Sequence, residues 1–132
     1  MEEKNRDVSI LFVEDEAVFI LAFKKLLQRR FENVYTAENG EKGLELFLKH
    51  RPTIVFTDIL MPRLNGLDLA VRIKELSPST PVVLMSAINE DKYIGKAKST
   101  GIDGYITKPI DEEEFFAVLD RIVLSLASAP GA

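Results

Sequence analysis

ThrIleValPheThr (53–57), followed directly by Asp58, is a short apolar run that ends at a carboxylate. Three other short runs likewise end at a polar or charged residue: ValSerIleLeuPheVal (8–13), ProValValLeuMet (81–85) and TyrIleThr (105–107). Short runs rich in Val, Ile and Phe, separated by helix-period segments, are typical of buried parallel strands. Directly after the four runs come, in chain order, Glu14-Asp15, Asp58, Ser86 and Lys108-Pro109. Because ligands bind at the carboxyl ends of strands in open parallel sheets, these residues predict one functional site at that edge.

A further strand and five helices are predicted around these runs. AsnValTyrThrAla (33–37) is the further strand, and residues 91–99 form the fourth helix, which we expect to be the most loosely held. The residues expected to face the core at helical spacing are Phe19, Ala22, Phe23, Leu26, Leu27, Leu44, Phe47, Leu48, Leu69, Ala70, Ile73, Tyr93, Ile94, Ala97, Phe115, Leu119, Ile122 and Leu126. Five alternating strand–helix units predict a doubly wound α/β sandwich, since right-handed crossovers place helices on both faces.

Helix ends are also readable from the chain. Asn39 is expected to cap the second helix, which ends near Arg51 because proline follows. The third helix stops near SerProSer (77–79). Asp111, with Glu114 three residues later, predicts a capping box at the start of the fifth helix.

The composition describes one ordinary globular domain. The chain has 132 residues, 46% hydrophobic and 29% charged, and we assign 1–132 to a single domain with its core at about 8–126. Residues 127–132 form a tail or the start of a linker. A net charge of −4 without a basic run argues against binding nucleic acid or an anionic membrane. Without cysteine, a signal peptide or a membrane-length apolar run, a cytoplasmic location is expected.

Three consecutive carboxylates, GluAspGlu at 14–16, follow the first apolar run. Carboxylates before a helix stabilise its positive end, so capping alone is one explanation of Glu14 and Asp15. Three carboxylates are more than capping requires, and unit charges about 4 Å apart repel by about 4 kcal/mol at an effective dielectric near 20. A cation would relieve this repulsion, and Mg²⁺ suits a place with one or two carboxylates, waters and a phosphate oxygen.

The other polar residues at this edge each have a plain and a functional interpretation. Asp58 either ends its strand as a turn residue or, beside the long loop within 57–66, acts as a nucleophile on an activated phosphate. Ser86 is either a small loop residue or a hydroxyl that reaches a phosphoryl oxygen. Lys108 has little reason to point inward unless it meets anionic groups, and it is an adequate point-charge ligand for phosphate.

The ordered set of motifs resembles the receiver domain of two-component response regulators, the CheY-like family. The set comprises GluAspGlu after the first strand, AspIleLeuMetPro with a glycine four residues past the proline, SerAla after the fourth strand and LysPro after the fifth. It covers about Val8 to Leu126, with Glu at a first acidic position where many members carry Asp. The resemblance implies a flavodoxin-like (βα)5 sandwich with a five-stranded parallel sheet in the order 2-1-3-4-5.

The resemblance also implies a role for each site residue. Asp58 would accept a phosphoryl group from a phosphohistidine. The implied ligands of Mg²⁺, or of Mn²⁺ as a substitute, are Glu14, Asp15, Asp58 and the backbone carbonyl of Leu60. The implied phosphoryl-binding groups are Ser86, Lys108 and the backbone of Ala87. Lys108-Pro109 is expected to be cis, partly from the family and partly because Lys108 must face the acids while a helix begins close behind it.

Signalling in such a domain would follow from a local movement. Ser86 would be drawn toward the acyl phosphate, and Tyr105 would turn into the vacated space and bias the face of the fourth helix, fifth strand and fifth helix. A half-buried strand tyrosine is an equally weighted interpretation of Tyr105. Leu60 and Ile88 are expected to flank the acyl phosphate and to slow its hydrolysis, or else merely to cover the sheet edge.

The implied domain is a signalling switch and not a turnover enzyme, apart from Mg²⁺-dependent self-phosphorylation and slow self-dephosphorylation. Its implied partners are a sensor histidine kinase or a histidine phosphotransfer protein, and a downstream output domain or target protein. A phosphorylation-dependent homodimer is also allowed, whereas direct binding of nucleic acid or membrane is not expected. The chain fits equally a single-domain regulator and a receiver cut from a longer protein.

Other classes fit the residues less well. A nucleotide-binding enzyme would carry a GlyXaaGlyXaaXaaGly or Walker loop, and a flavodoxin would carry a Ser/Thr/Gly-rich loop where this chain has three acids. An aspartyl phosphatase uses the same residue types but needs a substrate-gripping cap. His50 is the single histidine of the chain and complements a helix dipole, so it does not indicate a histidine phosphotransfer module. A degenerate receiver that only binds partners would lack some of the acidic and basic residues present here.

Overall fold

A computed structural model describes residues 3–87 and 94–128 of the chain, the latter without the side chains of its first and last residues. The strands are β1 (Ile10–Val13), β2 (Val34–Ala37), β3 (Ile54–Asp58), β4 (Val82–Ala87) and β5 (Gly104–Lys108). The helices are α1 (Ala17–Gln28), α2 (Gly40–His50), α3 (Gly66–Leu76), α4 (Ile94–Thr100) and α5 (Glu112–Ser128). None of the helices in this described part is both long enough and apolar enough to cross a membrane.

The five strands form one parallel sheet in the order β2-β1-β3-β4-β5. This confirms the predicted doubly wound α/β sandwich and its strand order. The register pairs Val13 with Thr57 and Asp58 with Met85, so the carboxyl ends of β1, β3 and β4 lie side by side. Because every strand runs the same way, the residues that end the strands share one edge of the sheet.

The core consists of two apolar clusters, one on each face of the sheet. One cluster joins α1 and α5 through aromatic rings, with Phe115 centred 4.5 Å from Phe56 and 4.8 Å from Phe23. The other cluster packs α2, α3 and α4 against the second face, with Phe47 and Leu69 fully buried. Successive residues of a strand point to opposite faces, so each central strand contributes to both clusters.

Two residues predicted to face the core are exposed. Ala22 lies on the solvent side of α1, and the side chain of Leu48 in α2 is 48% exposed. The reason in α2 is close contact through Gly43, where a Cβ atom would lie 3.0 Å from Cγ2 of Val13. The helix therefore meets the sheet along Gly43 and Phe47, and Leu48 is turned away by the helical rotation of about 100° per residue.

Three strands, β3, β4 and β5, extend one or two residues beyond the ends of their apolar runs. Each of three site residues was predicted to follow its strand but lies within it. Asp58 and Lys108 are the last residues of β3 and β5, and Ser86 lies inside β4. Backbone pairing continues through these positions, since Ser86 pairs with Thr107 and Ala87 with Lys108. The hydrogen bonds of the ladder are made by the backbone, so a change from apolar to polar side chains does not end the strand.

Most of the predicted helix ends are confirmed. Asn39 Oδ1 accepts a hydrogen bond from the backbone N–H of Lys42 at 2.8 Å, and α2 ends before Arg51, which has a φ of 47°. At the start of α5, Asp111 Oδ1 accepts a hydrogen bond from the backbone N–H of Glu113 at 3.2 Å. The predicted capping box joins Asp111 to Glu114, three residues later. In the structure the side chain of Asp111 instead caps the N–H of Glu113, two residues later.

The fourth helix is described only from Ile94 to Thr100. Ala97 is fully buried, as predicted. Tyr93, Ile88 and the side chain of Ile94 lie outside the described residues, so the proposed anchoring by Tyr93 and Ile94 stays a prediction.

Candidate functional site

Lys108 joins two carboxylates at the carboxyl edge of the sheet. Its Nζ donates hydrogen bonds to Glu14 at 2.9 Å (Oε2) and 3.2 Å (Oε1), and to Asp58 Oδ2 at 2.9 Å. Glu14 follows β1, Asp58 ends β3 and Lys108 ends β5, so residues up to 94 positions apart meet at one point. The cis peptide bond predicted at Lys108-Pro109 is present.

Burial makes this cluster electrostatically costly. Glu14 is fully buried, and the side chains of Asp58 and Lys108 are only 9% and 18% exposed. Burial raises the pKa of Glu14 from its ordinary 4.5 to about 7, against the opposing hydrogen bond from Lys108. Burial likewise raises the pKa of Asp58 above its ordinary value, again against the hydrogen bond from Lys108. One lysine therefore does not fully compensate two buried carboxylates.

Lys108 itself stays a cation. Burial acts to lower the pKa of Lys108, but its hydrogen bonds to Glu14 and Asp58 outweigh this and raise the pKa above its ordinary value. The positive charge is thus permanent at neutral pH. This charge lies next to Asp58, so an anion that approaches Asp58 would also come close to Lys108.

An acidic trio lies beside this ion cluster. Carboxylate oxygens of Glu14, Asp15 and Glu16 lie within 4.8 Å of one another, with Glu14 buried and the other two exposed. Their combination with Asp58 is an all-oxygen, strongly anionic donor set, which is the chemistry that Mg²⁺ prefers. The residues present therefore fit a hard divalent cation, and the raised pKa values of Glu14 and Asp58 show a local need for positive charge.

The orientation of Asp58 is set on both sides. Its Oδ1 accepts a hydrogen bond from the backbone N–H of Ile59 at 3.0 Å, while Oδ2 faces Lys108. The loop after β3 returns on itself, since the N–H of Gly66 donates to the carbonyl of Ile59 at 2.7 Å. A Cβ atom on Gly66 would lie 1.7 Å from the carbonyl oxygen of Asp58. Only glycine fits there. The sequence motif includes this glycine, four residues past the proline, but only the structure shows why glycine is required.

Ser86 lies on the strand next to Asp58. It is fully buried, it follows Met85, which pairs with Asp58, and its Oγ donates to the carbonyl of Ala87 at 3.3 Å. The structure thus places Ser86 and Ala87 on the strand between Asp58 and Lys108.

The remaining candidates differ in burial. Tyr105 is half-buried on β5, and its buried hydroxyl has no hydrogen-bond partner among the residues that the structure describes. Leu60 is 47% exposed, and Ile88 lies outside the described residues. His50 is in the last turn of α2, as predicted, with its ring stacked on Tyr35 at 4.1 Å between centroids.

This arrangement defines the class of the protein. The sheet has the order 2-1-3-4-5, with an acid after its first strand, another acid ending its third and a lysine ending its fifth. Comparison with known families agrees with this arrangement. The sequence model of the response regulator receiver domain matches residues 10–120. The chain belongs to this family, and it is a CheY-like receiver domain of two-component response regulators.

Particular relatives agree with the family assignment. The chain is 31% identical over 113 residues to the chemotaxis protein CheY of Halobacterium salinarum, which covers 86% of this chain and 92% of that protein. It is 30% identical over 120 residues to the transcriptional regulatory protein HptR of Staphylococcus aureus, covering 89% of this chain and 47% of HptR. The signal receiver domain of an HD domain-containing protein from Pseudomonas fluorescens superposes with a TM-score of 0.87 at 26% identity, covering 95% of this chain and all of that one. The chain thus spans nearly all of one relative and about half of the other.

Proposed function

We propose that the chain is a phosphorylation-dependent switch of a two-component phosphorelay, with Asp58 as the phosphoacceptor. The single observation that carries this proposal is the ion cluster of Asp58, Lys108 and Glu14. In this cluster the carboxylate of Asp58 is hydrogen-bonded to the cationic Lys108, which also binds Glu14. The carboxylate oxygens of Glu14, Asp15 and Glu16 lie close together and are suited to a metal. Membership of the receiver family supports the same role.

In the proposed reaction, an oxygen of ionised Asp58 attacks the phosphorus of a phosphohistidine. The new bond is the O–P bond of an acyl phosphate, and the bond that breaks is the N–P bond of the donor. Its electron pair returns to the imidazole nitrogen, which then takes up a proton. Such a transfer passes through a loose, highly charged transition state, so the protein contributes positioning and positive charge.

Lys108 supplies part of that charge. Its Nζ lies 2.9 Å from the attacking carboxylate, so it is placed to pair with an oxygen of the incoming phosphoryl group. Glu14, Asp15, Asp58 and the backbone carbonyl of Leu60 are the proposed ligands of Mg²⁺, for which Mn²⁺ would substitute. When bound there, the metal would neutralise the carboxylates and the phosphoryl oxygens together. Ser86 and the backbone of Ala87 are proposed to hold a further phosphoryl oxygen.

Phosphorylation would act on the face formed by α4, β5 and α5. A phosphoryl group adds about −1.5 to −2 charges and strong acceptor oxygens at the end of β3. Ser86 is proposed to move toward these oxygens, and Tyr105, whose hydroxyl has no partner among the described residues, to turn into the space. The result is a population shift between two packings that partner proteins distinguish.

The proposed partners follow from this role. A sensor histidine kinase or a histidine phosphotransfer protein supplies the phosphoryl group in the cytoplasm, and an output domain or target protein responds to it. A phosphorylation-dependent homodimer is one form that the response takes in this proposal. We propose no direct binding of nucleic acid or membrane and no turnover beyond self-phosphorylation and slow self-dephosphorylation.

The proposal is tested by intact-mass spectrometry after incubation with Mg²⁺ and acetyl phosphate. The wild-type chain is expected to gain one phosphoryl group, and the Asp58→Asn variant none. Asp111→Asn is a matched control, since Asp111 is an exposed aspartate at the start of α5. Equal labelling of wild type and Asp58→Asn would refute the assignment of Asp58, and steady turnover of a phosphoester would indicate the phosphatase alternative.

A further inference from the structure

An open apolar groove lies between α2 and α3. It is lined by Leu44, Leu48, Arg72, Glu75 and Leu76 and has a volume of about 390 Å³. Helices that connect parallel strands run back against the strand direction, so the last turns of α2 and α3 lie far from the carboxyl edge that carries Asp58. The groove is therefore separate from the phosphoacceptor site.

Two half-exposed leucines from different helices meet at the groove. Leu48 and Leu76, one on each helix, are each 48% exposed, and half-buried Leu44 lies between them and the core. Single exposed leucines are ordinary, whereas neighbouring ones with a polar border are typical of an interaction surface.

The charges in the groove indicate what kind of surface fits it. Arg72 and Glu75 carry opposite charges three residues apart on α3, and both are exposed. Within the described part of the chain, neither forms an ion pair with the other or with any further residue. A partner of a single charge sign would be attracted to one of these side chains and repelled by the other. A surface with the same two charges in reversed order would satisfy both.

We propose that this groove is a self-association surface on which a second copy of the chain docks about a two-fold axis. In such an interface each contact occurs twice, so Arg72 of each copy pairs with Glu75 of the other. Leu48 and Leu76 of the two copies pack together beside the two ion pairs. Because the groove is remote from Asp58, this association does not require phosphorylation.

The association is expected to be weak. Specific interfaces of standard size involve about 20–30 residues on each side, and even these range from micromolar to picomolar dissociation constants. The groove is smaller, so its dissociation constant should exceed about 1 μM. Sedimentation equilibrium of the unphosphorylated chain over a wide concentration range should therefore show a mass rising from monomer toward dimer.

Charge reversal tests the proposed pairing directly. Arg72→Glu gives a copy whose groove carries two acidic side chains, and Glu75→Arg gives one with two basic side chains. Each variant alone should dimerise at least tenfold more weakly than wild type, because like charges then face each other. An equimolar mixture of the two variants should recover association as a heterodimer, since every facing pair is again opposite in sign. Recovery also shows that both variants are folded.

Further variants separate this groove from other surfaces. Leu76→Ser should weaken association, whereas Leu21→Ser, at an exposed leucine of α1, should not. The proposal is overturned if wild type stays monomeric throughout, or if the charge-reversed variants associate as wild type does. It is also overturned if the mixture fails to recover association while each variant keeps the wild-type circular dichroism, or if another molecule occupies the groove while the chain itself stays monomeric.

Discussion

Gly66 and Asp58 touch through their backbones: a Cβ atom on Gly66 would lie 1.7 Å from the carbonyl oxygen of Asp58. The first residue of α3 thus determines where the last residue of β3 can lie. Since Asp58 Oδ2 is held 2.9 Å from Lys108, a displaced backbone would also misplace the carboxylate.

Gly66→Ala is therefore expected to slow phosphorylation by acetyl phosphate and to destabilise the fold by roughly 1–3 kcal/mol, the range for overpacking a tight site. Urea unfolding and intact-mass time courses measure the two effects. Gly95→Ala is the matched control, because no atom of the described residues lies within 4 Å of a Cβ atom built there. It should leave phosphorylation unchanged and gain up to about 1 kcal/mol from helix propensity. Wild-type behaviour of Gly66→Ala would mean that the loop adjusts without cost.

Mg²⁺ is expected to stabilise the unphosphorylated chain, because a ligand that binds only the native state shifts the equilibrium by mass action, about 2.7 kcal/mol at one hundred times its dissociation constant. Asp15→Ala should remove most of this gain by removing one proposed ligand. Glu32→Ala, at an exposed acid in the segment before β2, should retain it. Thermal unfolding with and without Mg²⁺ measures the difference, and an equal shift in Asp15→Ala would place the metal elsewhere.

Without metal, stability should fall as pH rises from about 4.5 to about 7. The pKa of Glu14 is raised from 4.5 to about 7 by burial, so in this window the folded chain binds more protons than the unfolded chain. The contribution of Glu14 to stability is fully present below its pKa in the unfolded chain and is lost as Glu14 ionises in the folded chain. The raised pKa of Asp58 acts in the same direction. Urea unfolding in a chelator at several pH values should show this slope, and a smaller one in Glu14→Gln. An unchanged slope in that variant would assign the effect to other groups.

Tyr105→Phe should stabilise the unphosphorylated chain or leave it unchanged. The buried hydroxyl has no partner among the described residues, and an unsatisfied buried polar group costs about 1–3 kcal/mol. Leu119→Ala, which empties a fully buried position in α5, is a contrasting control expected to cost about 2–5 kcal/mol. Chemical unfolding distinguishes these outcomes. A clear loss of stability in Tyr105→Phe would show that the hydroxyl has a partner in solution.

The phosphorylated form of wild type should lose its phosphate more slowly than that of a variant carrying Leu60→Asn and Ile88→Glu. Polar side chains at these positions would orient a water in line with the phosphorus, whereas the apolar side chains of Leu60 and Ile88 are expected to crowd its approach. Decay followed by intact mass with Mg²⁺ at neutral pH gives both rates. An equal or longer lifetime in the double variant would show that Leu60 and Ile88 merely cover the sheet edge.

The apolar pattern of the sequence predicted the strands correctly, but it predicted less well which helix residues face the core. The apolar runs before Asp58 and Lys108 identified strands whose ends meet at one edge, because the geometry of a parallel sheet follows from local pattern and crossover handedness. The same reasoning was wrong for Ala22 and Leu48, which satisfy the helical spacing yet are exposed. Which side of an apolar stripe is buried depends on the opposing surface, here the close contact of Gly43 with Val13.

The sequence by itself determined the class of fold, the sheet edge and the residue types gathered there. Only the tertiary structure decided that Lys108 binds Glu14 and Asp58 together, that Glu14 is fully buried, and that Gly66 touches the Asp58 backbone. Strand and helix patterns arise from neighbours a few residues apart, whereas these contacts join positions up to 94 residues apart. Their distances and burial, and hence the pKa values, follow from how the layers pack, which local periodicity does not encode.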